Sequence, residues 1–453
     1  MSEGIHFIGI GGAGMAVVAE LYLARGLRVS GSDARDSGAL DRLAELGAQV
    51  WVGHDRAHIA GARTVVVSTA VQPDNVELVA AREAGLEVIH RSVALARAGA
   101  DLRFVAIAGT HGKTTTSAML AVGLRAAGLD PSFAIGGKVL AYGTGAHLGT
   151  GEVFVAEADE SDGSFLTYHP QIAVVTNVEP DHLDHHGSAD HYEQAFVQFA
   201  ETIAPDGLLV TCIDDPGAAR LAQVAGQAGV RVCGYGTHER AQVRIEIDQL
   251  AADRSVATLW RGSERTPLQL SVPGEHNIRN AAAAWSVGVE LGLAPERMAG
   301  ALGEFGGTAR RFQHRGTAGG VRVVDDYAHN PTKVAAAVAT AKGATRGRVL
   351  VLFQPHLFSR TRAFAEDFAA ALAAADAVVL APIYPAREAP IPGVTSQLIE
   401  QHLPHARYVP DRLQAAAAIV DAAQPGDLVV TMGAGDVTEL AELILQSLAG
   451  ADG

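Results

Sequence analysis

Residues 104–119 read FVAIAGTHGKTTTSAM, and this stretch decides how the rest of the chain is interpreted. Phe104–Ala108 is apolar and predicts a buried strand. Gly109–Gly112 predicts a tight turn. Lys113 and three threonines then open an apolar segment that predicts a helix to about Ala127. Strand, glycine-rich turn, lysine, threonine and helix, in that order, form the geometry of a phosphate-binding turn.

Such a turn would bind phosphate through main-chain N–H groups, the positive helix N-terminus, a lysine charge and a hydroxyl group that can reach Mg²⁺. The strict P-loop spacing is not met, because its first glycine would fall on Ile107 and the glycine present is Gly109. An ordinary strand-to-helix turn is the alternative. The chain has four lysines, at 113, 138, 333 and 342, and the one in this turn favours a chemical role.

Length and composition limit the class of protein. A chain of 453 residues is long for one core, so two or three domains are expected. A net charge of −15 argues against a general nucleic-acid-binding protein. Two cysteines indicate no disulfide framework, and the glycine-broken N-terminus indicates neither a signal peptide nor a membrane span. These features predict a cytoplasmic protein.

A second glycine-rich turn predicts a nucleotide-binding domain over about residues 1–103. A buried strand, Ile5–Ile10, runs into the sequence GIGGAG at 9–14, and a helix to about Arg25 and a strand at 27–30 precede Asp33. The position of Asp33 is close to that of the ribose-binding carboxylate of a Rossmann unit. Further predicted elements are helices over 38–46 and 74–84 and strands over 48–52, 64–68 and 86–89. This domain alone favours an NAD-dependent oxidoreductase, but such an enzyme has no use for a second phosphate-binding turn.

Two acidic segments follow predicted strands of a middle domain, at about 104–313. Strand 153–156 leads into EADESD at 157–162, and strand 172–176 leads into NVEPDH at 177–182. Carboxyl ends of parallel strands share one sheet edge, so these groups are expected to meet the phosphate-binding turn. Carboxylates with one imidazole suit Mg²⁺ or Mn²⁺. Solvated loop acids are the alternative, and His185 and His186 are expected to be exposed.

The end of the middle domain carries a polar helix start and a hinge. Asn277 and Asn280 lie one turn apart at the start of an alanine-rich helix, so both can face one ligand. As an alternative, Asn277 only caps the helix. The segment GGTARRF at 306–312 predicts a hinge with a basic pair, and residues 214–270 give no clear signal.

A third α/β domain is predicted over about 314–453. Strands at 321–324, 349–353, 377–380 and 428–432 lead into DDYAHNP, QPH, IYPARE and GAGD respectively, and Pro331 predicts a helix start. Arg360 and Arg362 are two residues apart and would not face the same way on a helix, so one of them is expected at the surface. The predicted fold class is therefore α/β with three domains, two Rossmann-like and one central domain of the P-loop mononucleotide-binding type.

Taken in order, these motifs resemble the Mur ligase family of peptidoglycan synthesis. The resemblance covers nearly the whole chain and rests on GTHGKTTT, EADESDGSF, NVEPDHLDHH, GEHNIRN, GTARRF, DDYAHNP and FQPHLFSRTR. It implies an ATP-dependent ligase that joins L-alanine to the lactyl carboxylate of UDP-N-acetylmuramate through an acyl phosphate. A recycling ligase that attaches a tripeptide is the nearest alternative, but that branch tends to carry a tyrosine and Thr-Ala-Phe-Phe where this chain has SDGSF at 161–165.

The resemblance also implies roles for single residues. The catalytic set is Lys113, Glu157, His182, Arg311 and Asp326, and Thr114, Glu157 and His182 would hold Mg²⁺ or Mn²⁺. The other implied ATP-binding residues are Gly109, Thr110, His111, Gly112, Thr115, Asn277 and Asn280. The implied UDP-sugar-binding residues are Gly11, Gly12, Ala13, Gly14, Asp33, Ser68, Thr69 and His111, and those for the amino acid are Tyr327, His329 and Arg360.

Two departures from the family bear on these roles. Relatives often have an arginine at the position of Leu357, which bears on how the amino-acid carboxylate is held. Several relatives use a carbamoylated lysine at the second metal, and this chain has no lysine between 138 and 333, so His182 and water would serve. The implied partners are small molecules, with no nucleic acid or membrane, and the protein would be a monomer or weak homodimer. L-alanine, glycine and L-serine remain open as the nucleophile.

Overall fold

The computed structural model describes residues 4–181, 186–251, 254–386 and 388–450. Within these residues the strands form three sheets, of five, ten and six strands, whose inner strands pair in parallel. The three-domain α/β fold is thereby confirmed. The residues group into two compact units, Met1–Gln249 with Ser255–Gly306, and Leu250–Arg254 with Gly307–Gly453. In the described part of the chain, no helix has the length and apolar character needed to cross a membrane.

The first sheet has the order β3-β2-β1-β4-β5 and is parallel throughout. Its elements are β1 (Gly4–Ile8), α1 (Ala13–Ala24), β2 (Arg28–Asp33), α2 (Gly38–Glu45), β3 (Gln49–Val52), a 3₁₀ turn (Arg56–Ile59), β4 (Ala62–Val67), α3 (Val76–Glu83), β5 (Glu87–His90) and α4 (Arg91–Ala98). The predicted second strand was placed too early, because Asp33 ends β2 instead of following it. The order in which successive strands are added to the sheet reverses at β1, and the glycine-rich turn directly follows this strand.

The second sheet has the order β15-β14-β13-β12-β11-β10-β6-β9-β7-β8. Its elements begin with β6 (Arg103–Ala108), α5 (Lys113–Ala126), β7 (Ser132–Val139), β8 (Thr144–His147), β9 (Val153–Glu157), β10 (Ile172–Val175), α6 (Ala189–Glu201) and β11 (Leu208–Cys212). They continue with α7 (Pro216–Gln227), β12 (Arg231–Gly236), β13 (Val243–Leu250), β14 (Ser255–Arg261), β15 (Glu264–Leu270), α8 (Glu275–Glu290) and α9 (Pro295–Leu302). The segment without a sequence signal therefore forms one helix and the outer strands, which close in an antiparallel hairpin.

The order β10-β6-β9 positions the predicted site. These three strands are parallel, and Ala108 at the end of β6 is level with Val175 at the end of β10. Ile107 on the other side pairs with Glu157. The turn after β6 and the polar segments after β9 and β10 therefore share one sheet edge, as the sequence predicted. The strands are buried because α5 and α8 cover one face of the sheet with alanine, leucine and Trp285.

The third sheet, in the second unit, has the order β16-β17-β21-β18-β19-β20. Its elements are β16 (Gln313–Ala318), β17 (Val321–Asp326), α10 (Pro331–Ala344), β18 (Val349–Phe353), α11 (Phe358–Ala363), α12 (Ala365–Leu372), β19 (Ala377–Leu380), α13 (Gln397–Glu400), β20 (Ala406–Tyr408), α14 (Arg412–Ala422), β21 (Leu428–Met432) and α15 (Leu440–Gly450). Helix α10 begins at Pro331, with Asn330 as its cap. The predicted strand at 321–324 extends two residues further.

Candidate functional site

The turn after β6 needs glycine at two positions. Gly112 has a φ of 82°, in the left-handed region that glycine adopts most easily, and its neighbour Lys113 begins α5. Gly109 has a φ of 129°, and a Cβ there would lie 2.1 Å from Thr176 Oγ1. The turn therefore lies too close to Thr176 for a side chain at position 109. Main-chain groups, and not side chains, line this part of the turn at the N-terminus of α5.

Asn177 holds the turn in place, and the sequence analysis assigned it no role. Its Oδ1 accepts a hydrogen bond from His111 N at 2.8 Å, and its Nδ2 donates to His111 O at 3.1 Å. The buried Thr110 hydroxyl donates to Glu179 O at 2.9 Å and accepts from Glu179 N at 3.0 Å. Thr110 thus uses its side chain to fix the turn. A signal was present, since Asn177 is the first residue after the predicted strand 172–176.

Lys113 forms a buried ion pair beside the turn. Its Nζ lies 2.6 Å from Glu160 Oε2 and donates to Gly109 O at 2.7 Å. The side chain of Glu160 is 1% exposed. Burial alone would lower the pKa of Lys113, but the charge and hydrogen bond of Glu160, with the charges of Glu157 and Asp159, together outweigh it and hold that pKa above the ordinary lysine value. The amino group of Lys113 therefore lies at the turn, paired with a buried carboxylate.

Thr114 and Glu157 provide adjacent oxygen atoms. Thr114 Oγ1 donates to Glu157 Oε1 at 2.9 Å, and Gly136 N donates to Glu157 Oε2 at 2.7 Å. A hydroxyl and a carboxylate fit the hard oxygen ligands that Mg²⁺ prefers. No group of three or more His, Cys, Asp or Glu within the described ranges has the spacing to hold a metal ion. His182, the predicted third ligand, lies outside the described residues.

His186 is half-buried, so the expectation that it is exposed is wrong. Its Nε2 lies 2.9 Å from the carbonyl oxygen of Glu160, the partner of Lys113. Nothing in the sequence around His186 indicated a contact with Glu160. His185 lies outside the described residues.

Asn280 belongs to the site, and Asn277 is not the helix cap. Gly274 is the N-cap of α8, and Asn277 Nδ2 donates to Pro273 O at 2.7 Å. The capping alternative for Asn277 is therefore wrong. Asn280 is 7% exposed, and its Oδ1 lies 2.8 Å from the position that a Cβ on Gly112 would occupy. Helix α8 thus brings an amide against the turn after β6, which is the predicted phosphate-binding turn.

The first glycine-rich turn is held by Asp33. Gly11 N donates to Asp33 Oδ2 at 3.0 Å, and a Cβ on Gly11 would lie 2.6 Å from Leu40 Cδ1. Gly12 differs, because a Cβ there would meet nothing closer than Gly9 O at 3.4 Å. Gly11 is therefore required by packing, whereas Gly12 leaves open space beside the start of α1, where an anion can approach main-chain N–H groups.

Arg91 was missed by the sequence analysis, although it connects the first sheet with the acidic segment after β9. Its Nη2 donates to Asp159 Oδ2 at 2.6 Å. Its Nη1 lies 2.1 Å from the position that a Cβ on Gly14 would occupy, so Gly14 makes room for this guanidinium. Thr69 Oγ1 donates to Asp162 Oδ2 at 3.2 Å in the same region, and Ser68 is half-buried at the end of β4. Arg91 is at a helix start and outside any recognised motif, so no sequence signal indicated its contacts.

In the second unit, Asp326 fixes the hinge segment. Its carboxylate oxygens accept from Phe312 N and Ala328 N, each at 2.8 Å. Burial raises the pKa of Asp326 above its ordinary value, against the opposing charge of Arg311. The guanidinium of Arg311 lies 5.2 Å from the centre of the Tyr327 ring. Asp326, Arg311 and Tyr327, all predicted site residues, are thus neighbours.

Residues of this unit that were predicted to bind the amino acid lie close to one another and to His356. His329 Nδ1 donates to Tyr327 O at 2.8 Å, and burial holds the pKa of His329 well below its ordinary value. Burial and the charge of Arg360 lower the pKa of His356 to about 4. Arg360 is half-buried on α11 and Arg362 is exposed, which confirms that the two face different ways.

Leu357 has a strained main chain, with φ 73° and ψ 133° at the start of α11. Non-glycine residues rarely adopt this conformation, and such strain is concentrated at functional segments. Leu357 N donates to Tyr384 O at 3.0 Å, which holds the residue in place. At this position the chain therefore presents a main-chain contact and an apolar side chain instead of the arginine found in many relatives.

Three family models match the chain in order. The Mur ligase family, catalytic domain, matches residues 4–103, the Mur ligase middle domain matches 107–288, and the Mur ligase, glutamate ligase domain, matches 310–435. Together these matches cover most of the chain. The chain belongs to the Mur ligase family.

Named relatives and solved structures agree with this assignment. The UDP-N-acetylmuramate–L-alanine ligase of Renibacterium salmoninarum is 54% identical over 98% of this chain and 96% of its own length. That of Kineococcus radiotolerans is 52% identical over 98% and 96%. The crystal structure of the UDP-N-acetylmuramate–alanine ligase of Thermotoga maritima has a TM-score of 0.84 and 27% identity over 99% of both chains. The MurF ligase of Thermotoga maritima in complex with ADP, 17% identical with a TM-score of 0.66 over 94% of this chain and 96% of its own, shows the same fold.

Proposed function

We propose that this chain is an ATP-dependent ligase that joins L-alanine to the lactyl carboxylate of UDP-N-acetylmuramate, a step of peptidoglycan precursor synthesis. The observation that carries the proposal is the presence of two glycine-rich turns in one compact unit, one after β1 and one after β6. Two such turns suit two phosphorylated substrates, a UDP-sugar and ATP. Relatives that bear the name of this ligase at 54% and 52% identity support the choice of substrates.

The chemistry explains why ATP is needed. A free carboxylate is a poor acyl donor, because oxide cannot leave. A carboxylate oxygen attacks the γ-phosphorus of ATP, the bond to ADP breaks, and an acyl phosphate forms. The amine of L-alanine then attacks the acyl carbon, loses a proton, and phosphate leaves with the former carboxylate oxygen. The protein needs to align these groups and neutralise their charge.

We assign the ATP side of the reaction to the turn after β6. Gly109–Thr115 would surround the phosphates through main-chain N–H groups, with Asn277 and Asn280 on the adjoining helix. Lys113 Nζ lies 2.7 Å from Gly109 O, within the turn, so it would lie beside the transferred phosphoryl group and could exchange its contact with Glu160 for one with a phosphate oxygen. Thr114 and Glu157 would hold Mg²⁺, together with His182. When bound, Mg²⁺ would neutralise the charge that develops on the phosphate oxygens.

The other substrates are assigned to the remaining predicted residues. We propose that Gly11–Gly14, Asp33, Ser68, Thr69 and His111 bind the UDP-sugar, that Tyr327, His329 and Arg360 bind L-alanine, and that Arg311 and Asp326 belong to the ATP-binding set. The domain limits that follow are 1–103, 104–313 and 314–453. Since ATP and the UDP-sugar are cytoplasmic metabolites, we place the enzyme in the cytoplasm, as a monomer or weak homodimer.

Two other functions are less well supported. A recycling ligase would attach a tripeptide to the same UDP-sugar, but the structure of a murein peptide ligase from Psychrobacter arcticus is 24% identical and supports the fold alone. An NAD-dependent oxidoreductase would need only the first glycine-rich turn. Neither function explains why two relatives named UDP-N-acetylmuramate–L-alanine ligase are more than half identical to this chain.

Phosphate release with each substrate omitted in turn tests the proposal. We expect phosphate only when ATP, UDP-N-acetylmuramate and L-alanine are all present, and we expect the product mass to equal the sugar nucleotide plus one alanine residue. Activity with the tripeptide and not with L-alanine would support the recycling ligase. Phosphate release without the UDP-sugar would contradict both ligase assignments, and glycine and L-serine in place of L-alanine would define the nucleophile.

A further inference from the structure

A buried carboxylate in the first domain is surrounded by imidazole rings. Glu77, in the first turn of α3, is fully buried. Its Oε1 lies 2.8 Å from His58 Nδ1, and its Oε2 lies 3.3 Å from His54 Nδ1 and 3.5 Å from His6 Nε2. His58 is in the 3₁₀ turn, His54 is in the loop after β3, and His6 is in β1. None of the four residues has a role in the proposed reaction so far.

A hydroxyl group fills the centre of this cluster. Ser32 Oγ donates to Glu77 Oε2 at 2.5 Å and lies 2.9 Å from His54 Nδ1. The main-chain N–H of Asp55 donates to Glu77 Oε1 at 3.2 Å. Burial alone would raise the pKa of Glu77, but hydrogen bonds from His6, Ser32 and His58 lower it to about 2. Glu77 is thus an ionised acceptor that needs every neighbour to donate.

The cluster is connected to the first glycine-rich turn through Ser32. The carbonyl oxygen of Ser32 accepts hydrogen bonds from Gly9 N at 2.8 Å and Ile10 N at 2.9 Å. The next residue, Asp33, accepts from Gly11 N at 3.0 Å. Ser32 therefore binds Glu77 with its side chain and the turn with its main chain. A shift of Ser32 would move the acceptors that fix three consecutive residues of the turn.

We propose that Glu77 is a positioning residue for the UDP-sugar, which acts through Ser32 to keep the glycine-rich turn in the form that binds the diphosphate. The inference rests on the proposed binding of the UDP-sugar to this turn. Anion binding by main-chain N–H groups depends on their direction, so a small displacement of the turn lowers affinity. Glu77 itself does not touch the substrate.

Glu77→Gln tests the proposal because it keeps the shape of the side chain and changes the hydrogen bonds. The amide nitrogen donates where a carboxylate oxygen accepted, so Ser32 or His58 must change from donor to acceptor, and its contact with residue 77 becomes weaker. We expect the variant to bind UDP about tenfold more weakly in a calorimetric titration, which needs no turnover, while the KM for ATP changes by less than about twofold. Purely structural damage would not separate the two substrates in this way.

Glu87→Gln is the matched control. Glu87 is in the same domain, on β5, and its carboxylate is also bound by side chains, from Arg97 at 2.7 Å and Thr64 at 2.9 Å. Within the described residues, its side-chain hydrogen bonds go to Arg97 and Thr64 and not to Ser32. We expect this variant to bind UDP like the wild type.

Ser32→Ala is the second variant, should Glu77→Gln fail to fold. It removes only the hydroxyl group and should weaken UDP binding in the same selective way. If folded Glu77→Gln binds UDP with wild-type affinity, the inference is overturned and the proposed function is not. If Glu77→Gln does not fold, wild-type affinity of Ser32→Ala for UDP has the same consequence. A wild-type protein that binds neither UDP nor UDP-N-acetylmuramate overturns the proposed function and this inference together.

Discussion

Arg91 donates a hydrogen bond to Asp159 at 2.6 Å and thereby joins the first helix after β5 to the acidic segment after β9. The same guanidinium lies over Gly14, beside the first glycine-rich turn. One side chain therefore contacts both the first glycine-rich turn and the acidic segment after β9. The pair fixes the acidic segment that also contains Glu157 and Glu160.

The Arg91–Asp159 pair predicts a pH dependence of stability. Burial opposes ionisation of Asp159, but the charge and hydrogen bond of Arg91, the hydrogen bond of Ser161 and the charge of Lys113 together outweigh it and lower the pKa from 3.8 to about 2. A carboxylate with a lowered pKa stabilises the fold above its ordinary pKa and loses that effect as the pH falls toward the folded value. Asp159→Asn should therefore reduce the free energy of unfolding at pH 5 by about 1 kcal/mol, and by less at pH 2.5, after allowance for partial exposure.

Urea unfolding of the wild type, Asp159→Asn, Arg91→Gln and the double variant at the two pH values measures this effect. In the Arg91→Gln background, Asp159→Asn should change stability little at either pH. A constant difference between the wild type and Asp159→Asn at both pH values would contradict the ion-pair explanation.

Lys113 should be needed for both stability and catalysis, for separate reasons. Lys113→Ala leaves Glu160 buried without its partner, which should cost about 3 kcal/mol of unfolding free energy. The ligase rate should fall about a hundredfold or more, because the ammonium no longer stabilises the transferred phosphoryl group. Lys113→Ala with Glu160→Gln should regain stability and not activity.

Lys342→Ala is the control for Lys113, since its pair with Asp376 is exposed and 2.8 Å long. We expect a loss below about 1 kcal/mol and an unchanged rate. UDP binding should stay near the wild-type value in every lysine variant. Lys113→Ala activity within about tenfold of wild type would remove Lys113 from the phosphate site.

Gly12→Val separates the two glycine-rich turns. Gly12 has φ −65° and ψ 137°, which valine also adopts, and its Cβ position is open. The variant should therefore fold, but its side chain should block the approach of the diphosphate to the main chain. We expect the KM for the UDP-sugar to rise at least about tenfold and the KM for ATP to stay within about twofold. Equal effects on the two KM values would show that the turn does not bind the UDP-sugar.

His356 should make the folded protein less stable in mild acid. Burial and Arg360 lower its pKa from 6.5 to about 4, so between these values the unfolded chain binds a proton that the folded chain does not. Stability should fall as the pH decreases from about 6.5 to 4. Melting curves of His356→Gln should show a smaller fall over this range. An identical fall in variant and wild type would exclude His356 as a source of the acid sensitivity.

The fold was predictable because its strands are short apolar runs that end at polar motifs. Strand bounds at 349–353, 377–380 and 428–432 agree with the structure to the residue. The outer strands β12–β15 were not predicted, because none of them leads into a polar motif like those after β6, β9 and β10. The alternation of exposed and buried positions in β14 and β15 was a strand signal that the sequence analysis did not use. Edge strands of this kind depend on pairing with a sheet that is already formed.

The site was predictable where a residue lies in a motif at a strand end, as Lys113 and Glu157 do. Arg91 and Glu77 were missed because they act through contacts that only the folded chain creates. Glu77 contacts residues 19 to 71 positions away, and Arg91 reaches Asp159 across 68 positions. Their local sequence is that of an ordinary helix start. Asn177 lies between these cases, since its place at a strand end was visible but its partners were not.

Transfer of ¹⁸O tests the central claim most directly. UDP-N-acetylmuramate labelled with ¹⁸O in both oxygens of the lactyl carboxylate is incubated with the enzyme, ATP and L-alanine. The masses of the released phosphate and of the product are then measured by mass spectrometry. Activation through an acyl phosphate predicts one ¹⁸O atom in each phosphate released and one in the new amide. Unlabelled phosphate formed together with the alanylated product would contradict it.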